Sequence, residues 1–127
     1  MYRSNGSINL LASGARTTTQ TITTDAGGTA LINLGGCGCR LIVKSTVIGT
    51  GSITASIQGI SNTGATYTLL TGAAITTNTT TVYEIFPGAP ATANVSANTF
   101  LPYRFQVVIT ANNANSATYQ VDLDFLR

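Results

Sequence analysis

The segment Tyr103-Arg104-Phe105-Gln106-Val107-Val108-Ile109-Thr110-Ala111 alternates almost residue by residue between apolar and polar side chains. A period of two places Tyr103, Phe105, Val107, Ile109 and Ala111 on one face of an extended chain and Arg104, Gln106 and Thr110 on the other, which suits a half-buried strand and no helix. Tyr119, Val121, Leu123 and Phe125 repeat the pattern against Gln120, Asp122 and Asp124. The Asn112–Ser116 cluster between them has the composition of a loop, so the two runs read as a C-terminal antiparallel hairpin.

Similar runs lie upstream. Arg40–Ile48 and Ser52–Gly59 flank Gly49-Thr50-Gly51 and read as a second hairpin. Thr66–Leu70 follows the turn Ser61-Asn62-Thr63-Gly64, and Thr79–Phe86 sets Thr79, Thr81, Tyr83 and Ile85 opposite Thr80, Val82, Glu84 and Phe86 before Pro87-Gly88 ends it. Residues 17–24 and 30–34 complete a set of about eight short antiparallel strands with turn signals between them. That spacing predicts an all-β chain, a single β-sandwich domain over residues 1–127 of jelly-roll or Ig-like type. Ala89–Asn98, where Ala and Asn replace β-branched residues, is expected to be a loop. Residues 1–9 are a polar end before the first secure strand and could serve as an N-terminal arm that orders on contact.

Composition narrows the chemistry. There is no histidine among 127 residues and only 8% are charged, so a Ser-His-Asp triad cannot be assembled and the many Ser and Thr hydroxyls have only Lys44 as an amine base. The glycines form neither a dinucleotide fingerprint nor a P-loop. The net charge of +2 is scattered, without the basic stripe of a nucleic-acid binder. No apolar stretch approaches the roughly 20 residues of a membrane span, and the start lacks the unbroken apolar run of a secretory signal, so synthesis and folding in a cytoplasm are expected. The Asn-x-Ser/Thr triplets at Asn5, Asn78 and Asn94 are what chance gives in so Asn- and Thr-rich a chain.

Two features could still carry chemistry. Gly35-Gly36-Cys37-Gly38-Cys39 places two thiols one residue apart, but a zinc site needs four ligands and the chain has no further Cys or His. A disulfide within Cys-Gly-Cys would be strained, which leaves a glycine-rich turn entering a strand with small buried thiols. Asp122 and Asp124 share one strand face at roughly 7 Å spacing, an arrangement known from paired-carboxylate catalysis and calcium binding, or simply a solvated or partner-facing surface. No catalytic, cofactor or metal residue is assigned, and a non-enzymatic role is expected.

A resemblance adds to this reading. Ile57-Gln58-Gly59-Ile60, Ala65–Ile75, Val82–Gly88, Ala93–Asn98, Leu101–Phe105 and Asn115–Tyr119 occur in an order that resembles a group of small structural proteins of tailed bacteriophages, over roughly residues 46–126. Tyr103 stands where that group often has Arg, and Cys37 and Cys39 have no counterpart in it. The resemblance implies a virion component, a capsid decoration or cement protein on the outer head surface with the major capsid protein as partner. It leaves open a tail or neck component and a host-adhesion module that binds glycans through loop Tyr, Asn and Asp groups. An envelope-acting enzyme using Asp122, Asp124 or Glu84 is the remaining rival. Exposed Phe86-Pro87 or Val108 would offer a self-contact, and a homotrimer is the expected assembly.

Overall fold

The computed structural model describes residues 7–126, which form nine strands and no helix. These are β1 (Ser7–Arg16), β2 (Gln20–Ile22), β3 (Gly38–Val47), β4 (Ile53–Ile60), β5 (Thr66–Thr71), β6 (Thr80–Ile85), β7 (Ser96–Ala97), β8 (Phe105–Ala111) and β9 (Ala117–Leu126). The chain is all-β, as the alternation requires. One sheet has the order β1-β9-β3-β6-β7 and the other β2-β8-β4-β5.

The wiring follows from nested antiparallel pairs: β1 with β9, β2 with β8, β3 with β6 and β4 with β5. A long two-stranded ribbon with these rungs winds around the core, and its turns join sideways where β3 meets β9 and β4 meets β8. That is the jelly-roll solution to burying two sheet faces against each other. Of the two sandwich types open to the sequence, the jelly roll is the one formed.

Both predicted hairpins are corrected by this topology. β8 lies in the four-stranded sheet and β9 in the five-stranded one, and β3 and β4 are separated in the same way. Their short connections are corners from sheet to sheet. Gly49 has φ +55°, and a side chain at buried Gly51 would press within 2.8–2.9 Å of the Ser116 and Ile48 carbonyls. Asn113 Nδ2 donates to the Thr50 carbonyl at 3.0 Å, so the two corners sit side by side.

Other expectations need adjustment at the N-terminal half. Ser7–Asn9 are the start of β1 and pair with Asp124, Leu123 and Asp122, while residues 1–6 of the suggested arm lie outside the described residues. Two register shifts in β1 break its alternation. Within 17–24 only Gln20–Ile22 form a strand, and 30–34 contribute only the bridges Thr24↔Ala30 and Ile32↔Arg104. The 89–98 segment is a turn followed by β7, with Asn94 in the left-handed region at φ 63°, a conformation Asn tolerates better than most residues.

Phe105, Val107 and Ile109 face the core as predicted, with Leu41, Val43, Ile57, Tyr83, Ile85, Tyr119, Val121 and Leu123. Phe105 and Phe125 meet edge to face at 6.0 Å between centroids. Each such side chain contributes roughly 1.5–3 kcal/mol on burial. Tyr103 departs from the pattern. β8 begins only at Phe105, and Tyr103 is 60% exposed.

The strand directions gather the 23–37, 61–65 and 98–104 connections at one end of the sandwich and the 17–19, 48–52, 72–79 and 112–116 connections at the other, while 86–95 runs back along the β6 edge to reach the parallel β7. The second end is built of Thr, Gly, Ala, Asn and Ser with few apolar groups. The first carries exposed aromatic rings.

Candidate functional site

The aromatic end is organised by one side chain. Asn33 is buried, and its Nδ2 donates to the Leu101 carbonyl and the Gly36 carbonyl, both at 2.8 Å, while its Oδ1 accepts from the Gly36 N–H at 3.0 Å. The Asn33 N–H donates to the Tyr103 carbonyl at 2.8 Å, and the Leu101 N–H to the Cys37 carbonyl at 3.0 Å. With two bonds to Gly36 and one to Leu101, this amide ties the glycine-rich 35–38 turn to the 99–104 loop. The glycines are required by close packing: a side chain at Gly36 would meet Asn33 Oδ1 at 2.7 Å, and one at Gly38 would collide with the Ile85 carbonyl oxygen.

The loop held in this way anchors buried Leu101 and leaves its neighbours outside. Phe100 is 69% exposed and Tyr103 60%. Tyr67, at the start of β5 on the same end, is 47% exposed, with its ring lying over Gly59. Rings held on a hydrogen-bonded loop lose little conformational freedom when a partner covers them.

The carboxylates singled out from sequence share one face. Asp124, Arg40 and Glu84 are register neighbours across β9, β3 and β6, and Asp122 lies opposite Ile42 on the same outer surface. Arg40 separates the two acids of its row. It donates to Glu84 Oε2 from Nη2 at 2.9 Å and from Nε at 3.1 Å. Asp122 accepts from Asn9 Nδ2 at 2.9 Å and from Gln120 Nε2 at 3.0 Å. Glu84 and Asp122 are engaged in an ion pair and amide contacts on an open sheet face, whereas Oδ1 of Asp124 is buried without a hydrogen-bond partner.

Cys39 is fully buried, and loss of solvation pushes its thiol up to about 12; it is therefore a neutral thiol at neutral pH, whereas metals and electrophiles take the thiolate. Cys37 is half-buried, and both cysteines are free. Among the described residues no group of three His, Cys, Asp or Glu side chains is placed to hold a metal ion. The proposed self-contacts at Phe86 and Val108 fall on half-buried side chains, and the exposed rings are instead Phe100, Tyr103 and Tyr67. The sequence signal that could have located them is Pro102: it disfavours a strand running through Tyr103 from Leu101.

No family model matches the chain, and no curated protein does. Two solved structures follow a similar course. One is an exo-β-agarase, with a TM-score of 0.41 and 11% identity over 100% of this chain and 23% of that one. The other is a structure of the infectious bursal disease virus Gx strain, with a TM-score of 0.37 and 15% identity over 94% of this chain and 26% of that one. The chain thus spans about a quarter of each.

Proposed function

We propose that this chain is a non-enzymatic structural protein of a virus particle, a decoration or cement protein on the outer surface of a bacteriophage head, with the major capsid protein as its partner. The observation that carries the proposal is the loop at Phe100–Tyr103, pinned by Asn33 and presenting two rings at one end of a rigid jelly roll. Jelly rolls serve widely as capsid and lectin domains, and the order of sequence segments resembles phage structural proteins. Two aromatic anchors at roughly 1.5–3 kcal/mol each give a weak single contact once association entropy is subtracted. Repetition over a symmetric lattice turns weak contacts into stable occupancy.

Co-sedimentation with phage heads that lack the protein tests this. The wild-type chain is expected to pellet with the heads, and the double substitution Phe100→Ser/Tyr103→Ser to lose at least tenfold in apparent affinity at an unchanged melting temperature. Equal binding by the double variant, or binding to tails alone, would overturn the head-docking assignment.

A further inference from the structure

Charge is divided unevenly between the two sheets. The five-stranded sheet carries Arg16, Arg40, Lys44, Glu84, Asp122 and Asp124, whereas β2, β4, β5 and β8 contain no charged residue. Along β4 the outward side chains are Thr54, Ser56, Gln58 and Ile60, and Gln106 Nε2 on β8 donates to Gln58 Oε1 at 2.8 Å. A neutral face whose amides bond one another gives up water at lower cost than a charged one, and depletion of charged residues marks the centre of protein interfaces.

Arg104 stands where this neutral face meets the aromatic end. It follows Tyr103 in the chain and precedes β8, and its side chain is exposed. Its backbone is held on both sides, by the bridge to Ile32 and by the Ile60 N–H, which donates to the Arg104 carbonyl at 3.0 Å. The pairing of Phe105 with Gly59 puts Arg104 across from Ile60, and Ile60 lies beside Thr66. Among the described residues Arg104 has no carboxylate partner. Arg40 is the cation that pairs with Glu84, and Arg16 bonds the Gly14, Tyr119 and Ala12 carbonyls. Lys44 also lacks such a partner, but it lies on the other sheet between Thr80 and Gln120. Arg104 is thus an unpaired guanidinium beside exposed Tyr and Phe rings, the residue types that concentrate binding energy.

We propose that the outer face of the four-stranded sheet docks together with the aromatic end, and that Arg104 pairs there with a carboxylate of a different virion protein; the proposal rests on the head-docking reading above. A guanidinium taken out of water without a counter-charge is costly, so a partner that covers the rings and Ile60 must supply an anion. The planar fork of Arg matches a carboxylate through two parallel bonds. A single cation on an otherwise neutral face does not suit a nucleic acid, whose binding grows with each phosphate neutralised. In a second copy of this chain the described acids are already engaged or buried. Glu84 is paired with Arg40, Asp122 and Asp25 accept bonds within the chain, and Asp124 lies beside Arg40 with Oδ1 buried.

The test is co-sedimentation with heads that lack the protein, at low and at raised salt. Arg104→Gln is expected to lower the apparent affinity at least about tenfold at low salt and to flatten the salt dependence, at an unchanged melting temperature. Arg104→Lys, which keeps the charge without the fork, should fall between Arg104→Gln and the wild type. Lys44→Gln removes the same unit charge from the other sheet and should bind as the wild type does. A photo-crosslinking residue at exposed Thr66, in the otherwise wild-type chain, should attach to a segment of another virion protein that contains Asp or Glu. Wild-type affinity of Arg104→Gln, an equal loss in Lys44→Gln, or a crosslink confined to a second copy of this chain or to a glycan would overturn the pairing and leave the head-docking reading standing. Failure of the wild-type chain to pellet with the heads would overturn both.

Discussion

Replacing Asn33 with Ala should unfasten the aromatic end. The side chain makes three hydrogen bonds, two donated to the Leu101 and Gly36 carbonyls and one accepted from the Gly36 N–H. At roughly 1 kcal/mol net for each bond, with stranded carbonyls left in a buried site, the loss is about 3 kcal/mol. For a domain of this size that corresponds to roughly 10 °C in melting temperature. Urea unfolding with calorimetry measures both. Asn33→Asp sharpens the case: it keeps an acceptor for Gly36 but aims a carboxylate oxygen at two carbonyls. Burial and those oxygens raise the folded-state pKa of the new acid above its unfolded value, so the variant should recover stability as pH falls and lose it as pH rises. A cost below 1 kcal/mol for Asn33→Ala, or pH-independent stability for Asn33→Asp, would show that the amide does not organise the loop.

Tyr83→Phe removes a buried hydroxyl that has no partner, so it should leave stability unchanged or raise it by about 1 kcal/mol; a loss of more than 1 kcal/mol in urea unfolding would reveal a bonded hydroxyl. Gly38→Ala drives a methyl group into the Ile85 carbonyl between β3 and β6 and should cost about 2 kcal/mol or more by the same measurement, with a near-neutral result contradicting the packing. Cys39 keeps its proton to about 12 in the fold but to roughly 8.5 when unfolded. Its raised pKa favours the folded state fully below pH 8.5, and that contribution falls by about 1.4 kcal/mol per pH unit as pH rises toward 12. Denaturant midpoints at pH 7 and pH 9.5 should show the fall in the wild type and a smaller one in Cys39→Ala; equal falls would refute it.

Periodicity made the faces legible. Val107, Ile109, Val121, Leu123, Tyr83 and Ile85 are buried where alternation put them, because a sheet with one covered face must alternate. Pairing was not legible. Gly49-Thr50-Gly51 and Asn112–Ser116 are as suited to a corner between sheets as to a hairpin, and what decides is the nested pairing of β1 with β9 and β2 with β8, at sequence separations that no local pattern encodes. β1 escaped notice because Ser, Ala and Gly dilute its strand propensity and its bulges break the period. Most of the candidate site was also hidden. Phe100 lies in no periodic run, Tyr103 continues one only on paper, and the role of Asn33 depends on Leu101, 68 residues away.

The most direct test of the account is the copy number of this chain in purified phage particles, measured by mass spectrometry against the major capsid protein. The head-surface assignment predicts copies comparable to that subunit or a simple fraction of it. A handful of copies per particle would place the chain in the tail or neck, and none would end the virion assignment.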